Sequence, residues 1–189
     1  MRIFKYIWSF IGFSVIVYSC TDNPIPKPQA ELRLEFPQAS YHTISLDCPF
    51  DFQTNVNASV TSKGDCSMLI EYPKMNATMY ITYKNIHQDL DLLLRDAQKL
   101  TYEHVAKADN ITEQPFVNTQ GDVYGMFYAI TGDAASNSQF YLTDSTNHFL
   151  TGSLYFNAKP NYDSLLPAVV YLQNDIRKIM ESFRWKYPN

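Results

Sequence analysis

The sequence predicts an α+β fold, an antiparallel β-sheet with two helices packed on it, opposite faces of the sheet being one arrangement open to them. Three observations carry this. Strand-type alternation comes in two groups, one on each side of a long stretch with helical spacing of apolar residues. A second helical stretch closes the chain, which gives the order strands, helix, strands, helix. The links between consecutive strands are short turns, which suit antiparallel pairing and are too short for parallel crossovers.

Leu32-Arg33-Leu34-Glu35-Phe36 alternates and predicts a strand stopped by Pro37. Tyr41 to Phe52 predicts a loop and a short strand. Met68-Leu69-Ile70-Glu71-Tyr72 predicts a strand ended by Pro73, and Ala77 to Tyr83 a half-buried strand, with Pro73 to Asn76 as the hairpin turn between them. Leu90, Leu93, Leu94, Ala97, Leu100, Thr101, His104, Val105 and Ala108 recur at helical spacing. Asn85 with Gln88 suits a capping box at the start of this helix, and Asn110 a left-handed stop. Strands are then expected over Gln114 to Asn118, Val123 to Thr131, Gln139 to Thr143 and Phe149 to Asn157. Val123 to Ile130 is apolar on both faces and predicts a central strand covered on both sides. In the last helix Leu166, Val169, Val170, Ile176, Ile179, Met180 and Phe183 make the apolar face, and Asp175, Arg177, Lys178, Glu181 and Arg184 the polar one. Ser164 serves as its N-cap, with Pro167 in the first turn and Asp163 assisting. Trp185 packs at the helix end.

The N-terminus reads differently. Arg2 and Lys5 precede an apolar run, Ile7 to Tyr18, that ends in Ser19-Cys20. The layout is that of a secretory signal peptide, since the run falls well short of the roughly 20 residues that span a bilayer. A cysteine directly after a small residue resembles the lipobox of bacterial lipoproteins, with Tyr18 a departure from the usual pattern. Cleavage before Cys20 would leave 170 residues with lipid on that thiol. Two or three acyl chains at about 0.8 kcal/mol per buried methylene make anchoring effectively permanent. Pro24, Pro26 and Pro28 give an extended, semi-rigid tether. The expected organisation is a signal peptide over 1–19, a lipidated proline-rich tether over 20–30 and one α+β domain over 31–189. Asp22 alone follows the lipid site, without the acidic run that some bacteria use to send lipoproteins to the cell surface, so the periplasm-facing side of the envelope is expected; the outer membrane is expected in preference to the inner.

Without Arg2 and Lys5, thirteen basic side chains face nineteen acidic ones, a net charge near −6 with no basic run. Nucleic acid is therefore not an expected partner. With Cys20 lipidated, Cys48 and Cys66 remain. Outside the cytoplasm they read as a disulfide, with two unpaired buried thiols as the alternative. No histidine stands near either cysteine at zinc spacing, and no pair among His42, His87, His104 and His148 is spaced as metal ligands, so no metal and no cofactor are expected.

Asp144-Ser145-Thr146-Asn147-His148 holds an acid, a nucleophile and a base in five residues. Catalysis needs them to converge in space; the plainer reading is turn chemistry, with side chains bonding local backbone N–H groups. No G-x-S-x-G elbow and no glycine-rich phosphate loop is present. Asp89 with Asp91, and Asp144 with Asp163, are the carboxylate pairs available for acid–base work, although Asp89 and Asp91 would point to different helix faces. His104 falls on the apolar side of the first helix and reads as a partly buried, hydrogen-bonded residue. Fourteen tyrosines mostly mean sheet packing, but Tyr155, Phe156, Tyr162 and Tyr171 are candidates for a partner surface. Asp144-Ser145-Thr146 and Asp163-Ser164-Leu165 fit a short acceptor pattern for O-glycosylation of exported proteins, which makes Ser145 and Ser164 candidate glycan sites. Asn57, Asn76 and Asn110 stand in N-x-Ser/Thr sequons of little weight in bacterial export.

Several stretches carry a family resemblance through their order and spacing. They are Pro49-Phe50-Asp51-Phe52 after Cys48, Tyr72-Pro73-Lys74 with Ile81-Thr82-Tyr83-Lys84, Asp96 to Tyr102, Val123 to Tyr128, Ala134 to Phe140, Thr143 to Leu150, and Gly152 to Ser164. With the lipobox they resemble the gliding-motility lipoprotein GldD family of Bacteroidetes over nearly all of the mature chain. The element order, down to Ile179-Met180-Glu181-Ser182-Phe183, is also similar to the Mog1/PsbP-like α-β-α sandwich, a resemblance that implies a helix layer on each face of the sheet. The family resemblance implies an envelope lipoprotein needed for gliding, a motility tied to type IX secretion. It transfers one functional residue, the lipidated Cys20, and no catalytic ones. The expectation is therefore a non-enzymatic lipoprotein that binds other envelope proteins of the gliding and secretion apparatus. The alternatives are a periplasmic hydrolase centred on Ser145, His148 and Asp144, or a small-ligand-binding lipoprotein.

Overall fold

Seven strands pair in the order β3-β4-β5-β9-β8-β7-β6, every pair antiparallel, in a computed structural model that describes residues 36–186. The strands are β3 (Ser59–Gly64), β4 (Ser67–Tyr72), β5 (Ala77–Asn85), β6 (Ala108–Asn118), β7 (Val123–Gly132), β8 (Ser136–Thr143) and β9 (His148–Phe156). Helix α1 (Leu90–Tyr102) separates β5 from β6, and α2 (Tyr162–Ser182) follows β9. A small second sheet joins β1 (Tyr41–Ile44), β2 (Phe50–Asn55) and β10 (Arg184–Trp185) in the order β1-β2-β10. The signal peptide, the tether, Cys20 and the strand expected from Leu32 lie outside the described residues, apart from Phe36, which is not in a strand.

Alternation along the strands decides the layers. Met79 and Ile81 of β5, Phe140 and Leu142 of β8, and Leu150 and Leu154 of β9 point into one core. There they meet Leu172, Ile176, Ile179 and Met180 of α2, with Phe50, Phe52, Phe183 and Trp185 from the small sheet and the chain end. The rings of Phe50, Phe52 and Phe183 stack on one another, and Trp185 closes the group edge-on. The residues between, such as Gln139 on β8, face the other way and meet α1, where Thr101 bonds to Gln139. The fold is therefore α+β with one helix on each face of the sheet.

Several boundaries differ from the sequence-based expectations. β5 runs on to Asn85, which pairs with His148 of β9, so Asn85 cannot cap a helix; α1 begins after Asp89. α1 ends at Tyr102 and tightens into a 3-10 turn over Glu103–Ala106, because β6 recruits the chain from Ala108 into its ladder with β7. Asn110 therefore lies in a strand. β7 is apolar on both faces but lies next to the edge strand β6, not at the centre of the sheet; Phe127 packs into the core with α2, and Tyr128 on the other face lies beside Gln98 of α1. Asn161, not Ser164, caps α2: its side chain accepts the Ser164 N–H at 3.3 Å, and Pro167 then falls inside the helix. Asp175 is not on a solvated face; it is 1% exposed. The β4–β5 turn forms as expected over Pro73–Met75, with Asn76 in the left-handed region at φ 48°.

Candidate functional site

The Asp144–His148 segment is the tight connection between β8 and β9. Asp144 Oδ1 accepts the backbone N–H groups of Thr146, Asn147 and His148 at 3.0, 2.8 and 2.8 Å. Burial would raise the Asp144 carboxyl, but those three N–H groups and the nearby His148 hold it below its ordinary value. Thr143 Oγ1 accepts the Ser145 N–H at 2.9 Å and donates to the His148 carbonyl at 2.7 Å, and Ser145 takes a positive φ of 66°.

The imidazole looks the other way. His148 Nδ1 lies 2.6 Å from the Tyr83 hydroxyl, which in turn bonds Asn85 Oδ1 at 2.7 Å. A proton on Nδ1 satisfies both bonds, because Tyr83 then accepts from His148 and donates to Asn85. The ring is stacked on Trp185 at 4.9 Å. Ser145 instead lines an open cleft of about 550 Å³ with His87, Gln88 and Asp91. The acid, base and hydroxyl of this turn thus serve three different neighbourhoods, and the aspartate that would orient the imidazole is committed to backbone amides.

A second polar cluster was not legible in the sequence. Asp175, in the middle of α2, accepts the Tyr41 hydroxyl of β1 at 2.7 Å and the Asn55 side-chain amide of β2 at 2.9 Å. Asn55 also donates to the Tyr171 hydroxyl at 2.9 Å, and Tyr171 donates to the Pro37 carbonyl at 3.0 Å. The Tyr72 hydroxyl lies beside the same carboxylate, outside normal hydrogen-bonding geometry. Burial raises the Asp175 carboxyl, and the hydrogen bonds offset that only in part. The cluster ties the start of the domain to α2 and is structural in character. The available signal was spacing: Asp175 stands three residues after Leu172 and four before Ile179, on the apolar stripe.

Other candidates are dispersed. Cys48 and Cys66 form a disulfide with Cα atoms 5.6 Å apart, joining the segment before β2 to the β3–β4 turn. His42 and His87 are exposed. Burial lowers His104, whose Nε2 is buried without a partner. Asp89 accepts the His87 N–H, Asp91 lies in the first turn of α1 and Asp163 in the first turn of α2. Ser145, Ser164, Asn76 and Asn110 are exposed and Asn57 is half-buried. No group of three or more His, Cys, Asp or Glu side chains gathers at metal-binding distance among the described residues. None of their helices is long and apolar enough to cross a membrane.

Tyr155, Phe156, Tyr162 and Tyr171 do not form one patch. Phe156 packs against the core, Tyr171 belongs to the Asp175 cluster and Tyr162 starts α2 beside Asp133. Tyr155 lies on the opposite sheet face, its ring 5.6 Å from that of Tyr80 in a T-shaped pair.

Comparison with known proteins places these features in context. The family model described as gliding motility lipoprotein GldD matches residues 21–185. No curated protein matches the chain.

Proposed function

This chain belongs to the gliding motility lipoprotein GldD family, and from that premise we propose that it supports the gliding and type IX secretion machinery by binding other envelope proteins rather than by catalysis. Lipid on Cys20 holds the domain at the membrane, in this reading the periplasmic face of the outer membrane, and the proline-rich segment after it sets the reach.

One observation carries the binding part. Leu92, Leu100, Tyr102 and Val105 are 52, 41, 47 and 54% exposed, all within α1 and the turn that follows it. Burying such exposed apolar side chains against a partner is favourable at roughly 25 cal/mol per Å². The dispersed groups of the Asp144–His148 turn support the non-catalytic part.

Two experiments test this. Leu92→Glu with Val105→Glu should keep the thermal unfolding midpoint and abolish gliding and in-cell crosslinks to envelope proteins. Cys20→Ser should release the protein from membranes and abolish motility. Normal gliding by the folded double variant would refute the docking surface, and normal gliding by a soluble Cys20→Ser protein would refute the anchoring role.

A further inference from the structure

We infer that the groove between α1 and strands β5 and β9 binds a neutral glycan chain, with one sugar ring against Tyr80 and Tyr155 and one hydroxyl seated against Gln139 and Tyr128. The groove has a volume of about 380 Å³ and is lined by Tyr80, Thr82, Leu100, Thr151, Ser153 and Tyr155. Its floor is set by strand register: Tyr80 pairs with Ser153 and Thr82 with Thr151 across β5 and β9. The site goes beyond the protein-docking reading and shares Leu100 with it, whereas Leu92 and Val105, where that reading is tested, do not line the groove.

Three properties of the groove select the ligand. First, none of its lining side chains is charged, so nothing repays desolvation of a charged ligand in a protein whose net charge is already negative. Second, it joins an aromatic pair to three hydroxyls. Tyr80 is 46% exposed, so its ring is available to the apolar C–H face of a pyranose while Thr82, Thr151 and Ser153 can bond the equatorial hydroxyls.

Third, a small cavity of about 10 Å³ adjoins the groove and shares Leu100, Thr151 and Ser153 with it. That is room for one oxygen-sized group. Gln139, 3% exposed, lines the cavity, and its Nε2 has no hydrogen-bond partner. Tyr128, 1% exposed, lines it too, and its hydroxyl is buried without a hydrogen bond of normal geometry, with Gln98 beside it. Burial pushes the Tyr128 phenol up to about 12, so it keeps its proton. The other end of the Gln139 amide is held by Thr101 Oγ1, which donates to Oε1 at 2.9 Å and also reaches the Ala97 carbonyl at 3.1 Å. Thr101 can bond either end of that amide, so the end left unpaired is a donor or an acceptor. A hydroxyl both donates and accepts and satisfies either arrangement, whereas a carbonyl oxygen or an ammonium satisfies only one. Leaving such buried groups unpaired costs about 1–3 kcal/mol each.

The test uses the full-length protein purified from membranes in detergent. It is titrated calorimetrically with cellohexaose, maltohexaose and chitohexaose, with hexagalacturonate and an uncharged Gly/Ser peptide as controls. The expected result is binding of a neutral hexasaccharide with a Kd below about 1 mM. Tyr80→Ala and Gln139→Leu should each weaken it about tenfold, while Leu92→Glu leaves it unchanged. Tyr80 is exposed enough that its variant keeps the fold, so the test stands even if Gln139→Leu does not fold. No binding by any neutral oligosaccharide would mean that the cavity accommodates solvent only and would overturn the proposal. So would binding that Tyr80→Ala leaves intact, or preference for the hexagalacturonate or the peptide. The docking reading is tested separately, by the gliding and crosslinking of the Leu92→Glu with Val105→Glu variant, and neither of those residues lines the groove.

Discussion

The Tyr41 hydroxyl donates to Asp175 Oδ1 at 2.7 Å, joining the first strand to the middle of the last helix. Asp175→Ala would leave Tyr41 and one N–H of Asn55 without their acceptor, a loss expected to cost about 2–4 kcal/mol in urea unfolding. Tyr41→Phe should cost about 1 kcal/mol.

The same carboxylate sets a pH dependence. Burial raises Asp175 in the folded state, with the Tyr41 and Asn55 hydrogen bonds opposing. A carboxyl whose folded value lies above its unfolded value favours the folded state most below the unfolded value. That contribution is lost as pH rises through the folded one. The stability of the native protein relative to Asp175→Asn should therefore be highest in acid and fall toward neutral pH. Urea midpoints measured across that range check the sign.

Asp144 has the opposite sign. Its carboxyl is held low, so its contribution is present above the unfolded value and lost as pH falls through the folded one. Asp144→Ala removes the acceptor of three turn N–H groups and should cost about 1–2 kcal/mol. Ser145→Ala should leave both stability and gliding unchanged; loss of gliding with stability intact would revive a catalytic reading of the turn.

Two glycines in the sheet are there because side chains do not fit. A Cβ on Gly152 would sit 2.1 Å from Phe140 Cε1, a ring that is itself 2% exposed. A Cβ on Gly125 would sit 2.1 Å from the Tyr141 carbonyl oxygen, which belongs to the paired strand and cannot swing aside. Gly152→Ala should destabilise by about 3 kcal/mol, and Gly125→Ala by more, because β7 and β8 must separate to admit the methyl group. Chemical denaturation of both variants gives the order.

Cys48 and Cys66 are 18 residues apart, and closing a loop of that size stabilises by about 3 kcal/mol in the chain-entropy model. Reduction, or Cys48→Ser with Cys66→Ser, should lower the unfolding free energy by about that amount without loss of membrane association.

Ser145 and Ser164 are both exposed, as glycan acceptors must be. If they are modified, the native mature protein will have an intact mass above chain plus lipid, and Ser145→Ala with Ser164→Ala will restore the lower value. A native mass equal to chain plus lipid would exclude modification.

The limits of reading this chain are visible in particular residues. Met68 to Tyr72, Ala77 to Tyr83 and both helices were legible because one buried face imposes a period of 2 or 3.6 on the apolar residues. β3, Ser59–Gly64, was missed: it is an exposed edge strand with no apolar stripe to betray it. Asn85 and Asn110 read as helix ends and became strand residues, since ladder bonds to β9 and β7 outweigh a local capping preference.

By itself the sequence determined the α+β class, the element order, the family resemblance and the turn chemistry of Asp144, because these follow from local pattern and composition. Only the tertiary structure decided that Asp175 is buried with Tyr41 and Asn55, that His148 turns to Tyr83, and that Gln139 and Tyr128 meet at one cavity beside Tyr80. Such meetings join residues distant in the chain through strand register and layer packing, and no local periodicity encodes which distant polar groups will share a buried site.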